Sequence, residues 1–340
     1  MGYNGPQPQM KKTLLLALAM FFATVSFAQQ QLATLNHNDS ITVYYGASAL
    51  QQAHNAAVAG DIITLSPGSF TSVTITKPVS IRGAGMFPDS VAGTAATILL
   101  NSFDIDIENN PQHNLYMEGI YCSGDKVRYQ KLYNPQFVKC YFRLIVGGSQ
   151  SNMQNATFLN CIVNQFNSYN ATGGATAHNT HFVNSVILNM DGYGNPSITN
   201  CVALLVNPDN VSINNSIVYS SGVSSGVNAY TAFNSIGLIT GNSGNYFNYY
   251  GLPNHNLHNY QGYASVFKNF RGTYGDGITF ELLDTVATTC LGSDGTQVGI
   301  YGGMMPFDPS VRNPLIKKCN VASRSTADGK LAVDIEIVSE

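Results

Sequence analysis

One short phrase recurs along this chain and constrains its fold more than any other feature. It reads Phe137-Val138-Lys139-Cys140-Tyr141, Phe158-Leu159-Asn160-Cys161-Ile162, Phe182-Val183-Asn184-Ser185-Val186 and Ile198-Thr199-Asn200-Cys201-Val202. It continues as Ile213-Asn214-Asn215-Ser216-Ile217 and Ala232-Phe233-Asn234-Ser235-Ile236, with a weaker upstream copy at Tyr116-Met117-Glu118-Gly119-Ile120. Measured at the small residue, the steps are 21, 21, 24, 16, 15 and 19 residues. A fixed phrase between variable spacers marks a solenoid whose loops leave the stack while its strands keep their spacing of ~4.8 Å. Within each unit an apolar residue, an Asn, a small Cys or Ser and a β-branched residue predict strand, corner, strand. Asn tolerates the left-handed backbone that a sharp corner needs, and stacked Asn side chains can bond along the axis. Cys140, Cys161 and Cys201 share one repeat position and are expected to stack as small buried hydrophobes. A leucine-rich repeat would need Leu at several fixed positions, where Phe, Ile and Val stand here, and steps of 15 and 16 are too short for it. The fold class is therefore all-β, a parallel β-helix.

Ahead of the repeats, Lys11 and Lys12 precede an apolar run from Leu14 to Val25 and then Ser26-Phe27-Ala28. Residues 1–28 read as a signal peptide, with Met10 the better start because residues 1–9 dilute the basic region. The run is shorter than the ~20 residues a membrane helix needs, and no cysteine follows the cut to carry a lipid. The mature chain is expected to be secreted, at the cell surface or in the periplasm, and not membrane-spanning. Only 10% of residues are charged, the formal charge is -3 and Trp is absent. Such a neutral surface offers no electrostatic footprint for nucleic acid, and 44% hydrophobic residues argue against disorder. Six scattered cysteines are too few for a disulfide framework.

The run from Ala49 through Gly60-Asp61, Pro67-Gly68 and on to Gly85 resembles the opening of pectin-lyase-like right-handed β-helix proteins. Its residues agree: Ser48 is a candidate N-cap, Ala49 to Ala59 an amphipathic capping helix, and 62–65, 73–75 and 79–81 the first strands. Gly292 to Gly303 resembles the closing coil of the same proteins. The resemblance implies a right-handed parallel β-helix over 29–303, leaving 304–340 as a short β tail with extended segments at 320–323 and 330–338. It implies little about activity, because lyases, hydrolases, epimerases and adhesins share this scaffold.

A polysaccharide lyase needs a basic residue and commonly Ca²⁺, yet no Lys or Arg lies between Arg143 and Lys268. The only carboxylates in that interval are Asp191 and Asp209, both in turn contexts, whereas a glycoside hydrolase needs two within ~5 to 9.5 Å. Asp104, Asp106 and Glu108 alternate along one stretch and would share a face, making them the candidate Ca²⁺ ligands, with Glu118 and Asp125 nearby. His178 with His181, and His255 with His258, sit among Gly, Asn and Thr and read as loop residues. Cys290 and Cys319 could pin the tail as a disulfide. Tyr246, Tyr249 and Tyr250, with Tyr260 and Tyr263, form an aromatic cluster that could meet a sugar. Asp39-Ser40-Ile41, Asp89-Ser90-Val91 and Asp284-Thr285-Val286 look like the Asp-Ser/Thr-apolar acceptor of a bacterial O-glycosylation system. The expectation is a non-catalytic exported protein that binds a polysaccharide or cell-surface glycan. The alternative is a lyase or hydrolase displaced to the first coils, around Asp104, Asp106, Glu108, Lys126, Arg128 and Lys131.

Overall fold

The computed structural model describes residues 31–340 apart from 91–92, 108–113, 169–175, 192–193, 205–210, 220–230, 240–254, 276–277, 312–314, 322–323, 325–328, 331–332 and 339–340. The predicted signal peptide lies outside the described residues. The rest is a parallel β-solenoid whose strands stack into sheets of eleven, ten and six strands. One coil illustrates the path. Thr157–Leu159 lies in the eleven-stranded sheet, Ile162–Val163 in the ten-stranded sheet and Phe166–Asn167 in the six-stranded sheet. We call these the first, second and third sheets.

The recurring phrase stacks in register. Phe137 faces Phe158, Phe158 faces Phe182, Phe182 faces Ile198 and Ile198 faces Ile213 in successive first-sheet strands. The three phenylalanine rings stack at 4.8 and 4.7 Å, the distance that parallel strands impose. The upstream copy is shifted by one residue from the alignment expected above. Met117, not Tyr116, faces Phe137, so Gly119 takes the left-handed corner and Ile120 the small-residue position. Lys139, Asn160, Asn184, Asn200, Asn215 and Asn234 hold that corner in the later coils, all with φ between 45° and 53°.

The small residue after each corner does more than fit. The flanking amides reach carbonyls of neighbouring coils, Asn160 N–H to Val183 and Ile162 N–H to Cys140. The Cys161 N–H between them has no such carbonyl and donates to Ser185 Oγ at 3.0 Å. The pattern repeats from Ser185 N–H to Cys201 Sγ (3.5 Å), Cys201 N–H to Ser216 Oγ (3.0 Å) and Ser216 N–H to Ser235 Oγ (3.1 Å). Each hydroxyl or thiol in turn donates to the carbonyl two residues before it, as Ser185 Oγ does to Val183 at 2.8 Å. The three cysteines are fully buried in the core, as expected of stacked small hydrophobes, and the position they share carries hydrogen bonds as well. Cys and Ser share this position because both are small and can accept and donate, and a buried N–H left alone costs about 1–3 kcal/mol.

The second sheet is apolar on both faces. Val163, Ile187, Ala203 and Val218 point into the solenoid core, while Ile162, Val186, Val202, Ile217 and Ile236 belong to an outer cluster with Phe267, Phe270, Phe280, Leu282 and Val298. The C-terminal segment supplies those outer partners, which is why these strands read as unbroken apolar runs. Residues 292–303 are consequently not a closing coil. They run back along the corner: Ser293 meets Asn215, Asn184 Nδ2 donates to the Ile300 and Gly302 carbonyls (3.0 and 2.7 Å), and Lys139 pairs with Asp308 at 3.6 Å. Gly303 (φ +78°) lies so close to Asn200 that a Cβ would collide with its amide. After this strap, Leu315–Val321 and Val333–Val338 pair as the antiparallel tail.

At the other end a hairpin that the sequence reading did not foresee, Leu32–His37 with Ser40–Tyr45, joins the first sheet antiparallel to Ile62–Leu65. Asn38 and Asp39 (φ 49° and 61°) form its two-residue turn. The expected capping helix is Ala49–Ala56, with Ala49, Leu50 and Ala53 fully buried against the first coil. Ser48 gives it no side-chain cap. Its C-terminal end is held instead by Lys77 Nζ, which donates to the carbonyls of His54, Asn55 and Ala57 at 2.7–2.8 Å. The second strand is Gly68–Phe70, and the segment expected at 73–75 contributes a single bridge from Ile75 to Ile105.

Two outcomes follow from the ladder. Ser185→Ala should destabilise the protein by about 1–3 kcal/mol, read as a lower denaturant midpoint, whereas Ser185→Cys should retain most of the stability; equal losses would show that hydrogen bonding is not the reason for the residue. Burial pushes the Cys140 and Cys201 thiols up to about 12 and the Cys122 and Cys161 thiols well above their ordinary 9.0. Thiols protonated in the folded state but ionised when unfolded stabilise the fold below pH 9, and that contribution declines from about pH 9 to 12. Denaturation midpoints across that range should fall, and less so for a Cys201→Ser variant.

Candidate functional site

The corner between the third and first sheets carries a second ladder, on the outside. Asn155 Nδ2 donates to Asn134 Oδ1 (2.9 Å), Asn179 Nδ2 to Asn155 Oδ1 (3.2 Å) and Asn195 Nδ2 to Asn179 Oδ1 (2.8 Å). Asn134, Asn155 and Asn179 again have left-handed backbones, and Asn195 Oδ1 also accepts the Asn179 N–H at 2.9 Å. Unlike the amides under the strap, these side chains face solvent. The axial asparagine bonding expected at the phrase corner thus runs chiefly along this other corner, although Asn256 Nδ2 does reach Asn234 Oδ1 at 3.0 Å.

Rows of outward side chains flank this ladder in strict register. Tyr133, Gln154 and His178 lie on the third-sheet side. Gln136, Thr157, His181 and Ser197 lie on the first-sheet side, where His181 Nδ1 and Ser197 Oγ are 2.7 Å apart. The eleven residues contain no carboxylate, ammonium or guanidinium, but many paired donors and acceptors. Lys131, opposite Asn152, stands in the next row outward. A signal for the ladder existed in the sequence: each of its Asn residues stands three positions before the apolar residue of the phrase, as Asn134 does before Phe137 and Asn195 before Ile198.

Of the candidate catalytic and metal residues that the structure describes, Asp104 and Arg128 are brought together as an ion pair. Asp104 and Arg128 face each other on adjacent strands and form a two-pronged pair, Nε to Oδ1 at 3.0 Å and Nη2 to Oδ2 at 2.8 Å. That pair occupies both oxygens of Asp104 and raises the guanidinium pKa. Lys126 is opposite Ser102, its amide on the Ser102 hydroxyl at 3.1 Å. Asp106 lies four residues further along, on the order of 13 Å away at the rise of a strand. Glu108 and Asp209 lie outside the described residues, and Asp191 is exposed. Among the described residues no three His, Cys, Asp or Glu side chains are placed to hold a metal ion.

Tyr246, Tyr249 and Tyr250 also lie outside the described residues. Tyr263 packs on Tyr219 and Phe270, with ring centroids at 5.1 and 4.9 Å, and Tyr260 OH meets Cys290 Sγ at 3.4 Å. Both therefore cover the second sheet. Cys290 is a free buried thiol, so the disulfide with Cys319 is not formed. His178 and His181 are separated by the Asn179 corner and serve different rows, while His255 packs at a tilt against Phe233 and His258 bonds Asn256.

No protein family, curated protein or solved structure matches this chain. For the Asp104–Arg128 pair, both partners partly exposed, Asp104→Asn should cost about 1 kcal/mol or less, and millimolar Ca²⁺ should leave the melting midpoint unchanged. A Ca²⁺-dependent rise in the midpoint that Asp104→Asn abolishes would support the calcium reading instead.

Proposed function

We propose that this chain is an exported, non-catalytic β-solenoid of the pectin-lyase-like kind that binds a neutral polysaccharide or cell-surface glycan. The observation that carries the reading is the uncharged lattice around the Asn134–Asn155–Asn179–Asn195 ladder. A sugar presents hydroxyls that both donate and accept, and amide, hydroxyl and imidazole groups can answer either role. Fixing them on stacked strands spares the side-chain ordering that binding otherwise costs. The absence of Lys and Arg between Arg143 and Lys268 favours neutral sugars over uronates. Single contacts of this kind are weak, so affinity would come from a chain lying across several coils at once.

The test is affinity electrophoresis of the mature protein in gels containing neutral or uronic-acid polysaccharides, paired with assays for new reducing ends and unsaturated products with and without Ca²⁺. Retardation is expected in at least one neutral gel and should weaken in a Gln136→Glu/His181→Glu variant of unchanged stability. Retardation that survives that substitution contradicts this site. Turnover abolished by Asp106→Ala or Lys126→Ala contradicts the non-catalytic reading.

A further inference from the structure

The three Asp-Ser/Thr-apolar triplets are identical in kind by sequence but differ sharply in presentation. Asp284-Thr285-Val286 begins the helix Asp284–Thr289. Its Val286 is 2% exposed within the outer apolar cluster, its Asp284 is paired with Lys268 at 2.9 Å, and the Thr285 carbonyl accepts from Thr288 Oγ1. An enzyme could not read the apolar residue there without unfolding the helix. Ser90 is exposed between the bridged residues Asp89 and Thr94, but Val91 lies outside the described residues.

Asp39-Ser40-Ile41 is different in each respect. Asp39 sits in the left-handed hairpin turn, Ser40 is exposed and Ile41 is 67% exposed. Ser40–Tyr45 is the terminal strand of the eleven-stranded sheet. Its outer backbone edge is therefore open to another chain among the described residues, the geometry by which enzymes and adaptors hold an extended peptide through strand addition. Carboxylate, hydroxyl and apolar side chain are all reachable on an already extended backbone. We propose that Ser40 is a site of O-glycosylation and that Thr285 is not.

The reaction requires an activated sugar, linked through its anomeric carbon to the phosphate of a nucleotide or lipid carrier. Ser40 Oγ attacks that carbon, the carbon–oxygen bond to phosphate breaks, the phosphate leaves with the electron pair and the hydroxyl proton passes to a base of the transferase. The inference rests on the export reading, since the chain must meet a transferase outside the cytoplasm.

The test is peptide mapping by mass spectrometry of the full protein isolated from its native host, together with Ser40→Ala and Asp39→Asn variants produced there. Asn suits the same left-handed turn, so Asp39→Asn removes the carboxylate while keeping the hairpin. The Ser40 peptide should carry a sugar mass that Ser40→Ala abolishes and Asp39→Asn reduces to background, while the Thr285 peptide keeps its unmodified mass. An unmodified Ser40 peptide overturns the proposal, as does full modification in Asp39→Asn or equal modification at Thr285. The N-terminus found in the same experiment judges export separately: cleavage after Ala28 upholds it, whatever the state of Ser40.

Discussion

The structure depends on a hydrogen-bonding problem that arises wherever a parallel coil turns sharply. A left-handed residue redirects the backbone within one position, and the next amide then points at the neighbouring coil where no carbonyl stands. Buried amides in native proteins are almost always paired, so a repeat of this shape needs a side chain to answer each one. Ser185, Cys201, Ser216 and Ser235 do so for the coil before them. Each also returns its own proton to a carbonyl, which fixes the side chain and the register together. The phenylalanine stack adds bulk burial, but it is the ladder that specifies where each coil turns.

Capping follows from the same stacking. A solenoid exposes an open coil at each end and needs atypical segments there. The helix Ala49–Ala56 closes one end, and its own free carbonyls are gathered by Lys77. Toward the other end the chain covers the outer face of the second sheet and then doubles back along the left-handed corner. The asparagines that make the corner possible thereby gain a second use, because Asn184 and Asn215 bind the returning strap. Asparagines at the opposite corner have no strap over them among the described residues and bond to one another in solvent. One residue type, chosen for its backbone, thus produces a closed seam on one edge and an open polar lattice on the other.

Much of this was legible in the sequence, for definable reasons. The phrase declared itself because side chains in register must repeat, and the capping helix because its apolar positions are spaced for one face. The upstream copy aligns one residue away from its sequence pattern because Gly119 is as small as the Cys/Ser position, whereas its φ of +64° makes it the corner. The strap looked like a coil because glycines and β-branched residues serve both, and only contacts with Asn184 and Asn215 tell them apart. The hairpin was missed although Asn38-Asp39 between two alternating runs is a turn signal. The outer ladder is less legible because its Asn stands in the variable spacer, three residues before the apolar position of the phrase, and not inside the phrase itself. Of the candidate site residues, Asp104 and Arg128 stand opposite each other, and the sequence could not reveal that they neutralise each other.

The ladder makes a claim about particular amides that hydrogen exchange can read directly. Measured residue by residue in the folded protein, the N–H groups of Cys161, Ser185, Cys201 and Ser216 should exchange only through global unfolding, as slowly as the strand amides beside them. Exchange of these four at the rate of exposed loop amides, in a protein whose strands remain protected, would contradict the account.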